Sequence, residues 1–194
     1  MATIYNKENA AFSRRVHDFA KALVYPMIWP GAKLEISHLD GTEADMEDKI
    51  DVEVLVYKPN LKQPIKFRVQ ERWRRIQFRR WKDVTITEWN NATNVPAEFY
   101  DGIMDYVLYG YFDESKQSFG EVVLINVPKL RSLIAIDAIT YTTGTNEKEQ
   151  LFKAFAFDNL SHTGAMDWYS TPSILPNNMP SEYWQRLYLK EKSA

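Results

Sequence analysis

Between residues 7 and 24 the apolar side chains Phe12, Val16, Phe19, Ala20, Leu23 and Val24 recur at helical spacing, which predicts one helix with a single buried stripe. Asn6 is placed to cap its start, and Glu8, four residues before Phe12, projects from the same face near the N-terminal end. Tyr25-Pro26 and then Trp29-Pro30-Gly31 are read as the stop. The period then falls to two. Residues 34–39, 50–57 and 65–73 alternate as strands, with a polar, acidic segment at 40–48 after the first and Pro59-Asn60 turning the chain after the second. In the third strand, Phe67, Val69, Glu71 and Trp73 share one face, while Lys66, Arg68, Gln70, Arg72 and Arg74 share the other.

Residues 84–89 read as a fourth strand, and Pro96 opens a helix over 97–105. Strands at 106–112 and 120–127 flank a polar turn, and a short helical turn follows at 128–133. Residues 147–155 fit helix or strand equally, and 158–180, with Pro172, Pro176 and Pro180, read as loop. Residues 181–192 form an amphipathic pattern with Tyr183, Trp184, Leu187 and Tyr188 on its apolar side. The short connections among the first three strands imply an antiparallel meander with the first helix packed across it. The expected fold is α/β (α+β), a central mixed sheet with an antiparallel meander flanked by helices. One domain over residues 1–194 is expected, its core at about 7–127 and a C-terminal extension at about 128–194.

A chain of 194 residues, 45% hydrophobic and 26% charged, is sized for one well-buried core. No apolar run approaches the ~18 residues of a membrane span, the N-terminus does not read as a signal peptide, and there is no cysteine. A cytoplasmic protein without disulfide or thiolate chemistry is the expectation. The net charge of −2 is unevenly spread. Residues 66–82 hold Lys66, Arg68, Arg72, Arg74, Arg75, Arg79, Arg80 and Lys82 against Glu71 alone, whereas 40–51 hold Asp40, Glu43, Asp45, Glu47, Asp48 and Asp51 against Lys49. Acidic beside basic suits a metal-plus-phosphate site, and equally two solvated loops. Glycine-rich phosphate loops, serine-nucleophile elbows and zinc-protease motifs do not occur.

An acid opening the second strand, Lys49-Ile50-Asp51-Val52, and polar residues at period two on the third, Val69-Gln70-Glu71-Arg72, resemble the pattern of the PD-(D/E)xK nuclease superfamily. The resemblance covers about residues 7–112. It implies a restriction-endonuclease-like core: a helix, a three-stranded meander, a helix and another strand. It implies a metal-dependent DNA endonuclease in which Asp51, Gln70, Arg72 and Glu8 are catalytic. Asp51, Gln70 and Asp45 would be the ligands of Mg²⁺ (or Mn²⁺), and a homodimer would cut both strands. Arg72 and Gln70 depart from the usual Lys and Glu. Arginine clamps phosphate but stays protonated, and Gln70 removes one negative charge from the metal site. Using Glu71 as the acid instead would leave Trp73 in the lysine's place.

The interleaved cations and aromatics from Arg72 to Lys82 point to DNA contact through Arg68, Arg74, Arg75, Arg79, Arg80 and Lys82. The same residues also allow plainer roles. Asp51 can solvate a strand end, Gln70 and Arg72 can line an exposed sheet face, and Glu8 can serve the helix dipole. His17, His38 and His162 lack metal-ligand spacing and read as structural or exposed. The alternative function is a non-catalytic nucleic-acid-binding or phage/plasmid accessory protein-interaction module on the same fold.

Overall fold

A computed structural model describes residues 7–39, 42, 50–90, 95–96, 98–146 and 150–170. The Asn6 cap, the acidic segment with Asp45 and the 181–192 pattern lie outside the described residues. Helix α1 (Lys7–Phe19) continues through a π turn (Ala20–Val24) into α2 (Tyr25–Ile28). Tyr25-Pro26 therefore does not end the helix, contrary to the sequence expectation. Pro26 directly follows the π turn, in which the Tyr25 N–H reaches back to the Ala20 carbonyl, and the chain stays helical across it. The true stop is Trp29, followed by Gly31 at φ 75°, a backbone conformation suited to glycine.

The next strands form the expected meander: β1 (Lys33–His38), β2 (Val52–Tyr57) and β3 (Ile65–Arg75), with Val54 paired to Ile36 on one side and Phe67 on the other. A 3-10 helix (Ile76–Trp81) then leads to β4 (Asp83–Asn90), β5 (Val95–Pro96) and α3 (Glu98–Asp101). Strands β6 (Tyr106–Asp113) and β7 (Ser118–Asn126) precede α4 (Val127–Ala135), whose Asn126 side chain accepts the Lys129 N–H at 3.1 Å as an N-cap. Last come β8 (Thr142–Thr145), β9 (Leu151–Ala156), α5 (Phe157–His162) and β10 (Met166–Ser170).

The fold is α+β, with a six-stranded mixed sheet in the order β1-β2-β3-β6-β7-β10 and a smaller antiparallel sheet in the order β5-β4-β9-β8. Only the β3–β6 pair in the large sheet is parallel among the described pairings. Strand β4 leaves the meander's sheet and pairs with β9. The expected 97–105 helix shortens to α3, and the stretch read as loop at 158–180 contains most of α5 and all of β10. Strand β10 pairs with β7, and β9 pairs with the distant β4 as well as with its hairpin neighbour β8, so their own periodicity does not identify them.

One face of the large sheet is covered by α1 and α2, burying Phe12, Val16, Phe19 and Leu23 against Val52, Val69, Leu108 and Phe112. The other packs Val107, Tyr109 and Val123 against Val84, Ile86, Phe155 and Leu160. Covered on both faces, β6 and β7 read as near-continuous apolar runs. Among the described residues, no helix is long and apolar enough to cross a membrane.

Candidate active site

The β2–β3 ladder ends at Val52 opposite Val69. Beyond that pair β3 runs on alone on this side, and Asp51 folds against its open edge. Asp51 Oδ2 accepts the Glu71 backbone N–H at 2.7 Å. The Arg72 guanidinium approaches the same oxygen at 3.7 Å, with the Asp51 side chain 24% exposed and that of Arg72 44%. Gln70, between the two in chain position, is 4% exposed and lies opposite Val107 of β6. Asp51 and Arg72 are thus joined, with Gln70 on the strand segment they share. Glu8 stands elsewhere. It is exposed and contacts Arg75 Nη2 at 3.2 Å, three residues beyond Arg72, or about 10 Å along β3.

The helix residue that the structure brings over this fork is His17. On the helix-covered face, Glu71 carries a buried carboxylate with three donors. Its Oε1 lies 3.1 Å from His17 Nδ1 and accepts the Tyr25 hydroxyl at 2.7 Å, and Oε2 accepts Trp73 Nε1–H at 2.8 Å. With the ring proton on Nδ1, His17 donates to this oxygen as well. His17 and Tyr25 are eight positions apart, which in an unbroken α-helix sets them about 80° apart around the axis. The intervening π turn absorbs about one residue of phase, so the two behave as neighbours two turns apart, about 20° out of line. That is how both reach one oxygen. Burial, then the Glu71 charge and hydrogen bond, and last the Asp51 charge push the Tyr25 hydroxyl well above its ordinary pKa. It therefore stays a donor.

The His38 ring lies 4.5 Å from that of His17. The two histidines lack metal-ligand spacing in the sequence, one coming from α1 and the other from β1. A signal for the cluster did exist: Glu71 is the lone acid in the apolar row Phe67, Val69, Trp73, and a buried acid requires donors.

Most of the remaining cations of the basic segment have acidic partners inside the molecule. Arg68 forms a bidentate pair with Asp105 at 3.1 and 2.9 Å. Burial pushes the Asp105 carboxyl up, but the Arg68 side-chain and backbone hydrogen bonds outweigh it and leave the carboxyl lowered. Arg74 lies 3.5 Å from Asp83 and donates to the Tyr109 hydroxyl at 3.2 Å. Asp83 is nonetheless raised, because burial outweighs the Arg74 charge. Arg75 meets Glu8 and, at 3.5 Å, Glu114. Arg79 grips the buried Glu121 at 2.5 and 2.9 Å. Here too burial pushes the carboxyl up and Arg79 more than reverses it. Arg80 lies over Trp81, and Lys82 follows in the left-handed region at φ 46°.

For a metal, the fork offers the Asp51 carboxylate, and Gln70, buried on the adjoining segment of β3, carries an amide oxygen. Both are hard oxygen donors, of the kind that suits Mg²⁺ or Mn²⁺ better than zinc. Both Glu71 oxygens are committed to N–H and O–H donors. Among the described residues, no three of His, Cys, Asp and Glu stand together as a ligand set.

No protein-family model and no curated protein sequence matches this chain. Among solved structures it is similar to D212, a nuclease from a fusselovirus, with 12% identity, coverage of 85% of this chain and 93% of that one, and a TM-score of 0.35.

Proposed function

We propose that this chain is a nuclease that hydrolyses DNA phosphodiesters with Mg²⁺ or Mn²⁺ at the fork between β2 and β3. The observation that supports it is the Asp51 carboxylate, fixed by the Glu71 N–H, facing the Arg72 guanidinium and sharing a strand segment with Gln70. Asp51 and Gln70 would hold the cation, with Asp45 of the acidic segment as a further ligand. When bound, such a cation lowers the pKa of a water and offsets charge on the phosphate. Arg72 stays protonated at any working pH, so its part is to hold a phosphate oxygen and stabilise developing negative charge. Glu71 acts on the reaction only through its backbone, by fixing Asp51. Cutting both strands of a duplex together would use two such centres, which a homodimer would supply.

The test is Mg²⁺-dependent cleavage of plasmid DNA by the wild-type chain against Asp51→Ala, with an expected loss of at least ~100-fold. Absence of cleavage with any divalent metal, under conditions where DNA is bound, overturns the enzyme reading. A second reading, a non-catalytic DNA-binding module, is favoured by the ion pair that already occupies Arg72. It expects salt-sensitive DNA binding that Asp51→Ala leaves intact.

A further inference from the structure

Of the cations at residues 66–82, six are matched by acids within the molecule: Lys66 by Glu53, Arg68 by Asp105, Arg72 by Asp51, Arg74 by Asp83, Arg75 by Glu8 and Glu114, and Arg79 by Glu121. Among the described residues no acid forms an ion pair with the other two, Arg80 and Lys82. They flank Trp81, which is 49% exposed. Large aromatic side chains are seldom left this open. The ring is also held in place. Trp81 ends the 3-10 helix and stacks on Phe78 at 5.6 Å and 20°. The Arg74 guanidinium lies 4.7 Å from the Phe78 ring and 5.4 Å from Trp81, and it is itself tethered to Asp83 and Tyr109. The Arg80 guanidinium covers the Trp81 ring at 4.7 Å.

We propose that Arg80, Trp81 and Lys82 form a stacking site for an unpaired base of a single-stranded nucleic acid, with Arg80 and Lys82 contacting the adjoining phosphates. The base takes the place that the Arg80 guanidinium holds over the ring and so releases that guanidinium to the backbone. A single strand fits better than a duplex for two reasons. Only an unpaired base offers its π-face to a side chain. Duplex binding relies on many phosphate contacts, and internal pairing has withdrawn most of this segment's cations. From Arg72 to Trp81 the chain covers three strand residues and six of 3-10 helix, no more than about 22 Å. One bound strand can therefore reach from the Trp81 site to the fork. The inference rests on the nucleic-acid partner of the proposed function but not on hydrolysis.

The experiment is fluorescence anisotropy of labelled dT15, U15 and a 15-base-pair duplex, titrated with the full chain in EDTA so that binding is read without metal-dependent cleavage. Expected is preferential binding of a single strand, with the tighter arm naming the sugar. Trp81→Ala should weaken it about 5- to 100-fold, and Trp81→Phe should keep most of the affinity. The slope of log K against log salt should lie near −1.4, the value for about two phosphates on a single strand. Unchanged binding by Trp81→Ala and by the Arg80→Ala/Lys82→Ala pair, tighter binding of the duplex, or no binding of any arm overturns the site. Intact binding with no Mg²⁺-dependent cleavage overturns the nuclease reading and leaves the stacking site standing.

Discussion

Replacing Tyr25 by Phe removes one hydroxyl from a fully buried position and changes nothing else in shape. That hydroxyl donates to the Glu71 carboxylate at 2.7 Å. A hydrogen bond to a charged group contributes about 1.5–3 kcal/mol, and Phe leaves no orphaned donor behind, so the expected loss is about 2 kcal/mol. Glu71→Gln keeps the volume but sets an amide NH₂ against donors already in place: His17 and Tyr25 on one oxygen, Trp73 on the other. Whichever way the amide turns, at least one buried donor loses its acceptor and the charge-assisted character of the rest disappears. The expected loss is about 4 kcal/mol. In the double variant the hydroxyl that clashed electrostatically with the amide is gone, so the two losses should fall short of additive by about 1 kcal/mol or more. Urea unfolding followed by fluorescence and circular dichroism reads all three as shifts in midpoint at constant m. A Glu71→Gln protein within about 0.5 kcal/mol of wild type, or a strictly additive cycle, would refute the reasoning. Either result would mean that the carboxylate does not join helix to sheet.

Gly110 faces Trp73 across the parallel β3–β6 pair, and a Cβ there would fall 2.9 Å from the Trp73 ring and 3.1 Å from the Glu121 carbonyl oxygen. Gly110→Ala should therefore cost about 1–3 kcal/mol in the same unfolding assay, since the ring is pinned by its bond to Glu71. Acid unfolding supplies another prediction. The folded carboxyls of Asp105 and Glu121 are lowered by Arg68 and Arg79 against the pull of burial. Each thus contributes stability that is present above its unfolded pKa of about 4 and is lost as pH falls through the folded value. Asp83, raised by burial, has the opposite sign and regains stability on protonation. Titrating unfolding midpoints downward from pH 5, Asp105→Asn and Glu121→Gln should flatten the acid limb and Asp83→Asn should steepen it. Parallel curves for wild type and variants would contradict both assignments.

Residue pattern alone determined a good share of this protein. The apolar stripe of α1, the three alternating strands of the meander and the runs that become β6 and β7 are local periodicities. Each states its element and the face it buries. The sequence marked Asp51 and Arg72 as site candidates, but their contact is made beyond the last paired residues of β2 and β3, where only the folded chain places it. The lone acid of the apolar row, Glu71, was visible but not its purpose. Its donors His17 and Tyr25 lie 54 and 46 residues away, and a π turn with no marked sequence signal is what aligns them. Tertiary structure alone decided that β4 leaves the meander's sheet, that β9 and β10 are strands, and which cations stay unmatched. The basic segment looked like one broad patch because charges near in sequence add up on paper. In the folded chain, acids from α1, β2, β4, β7, the β6–β7 turn, the residue before β6 and the fork itself neutralise most of it. Periodicity is set by covalent neighbours and can be read from the chain. Strand partners and ion pairs are set by groups that only folding brings within reach.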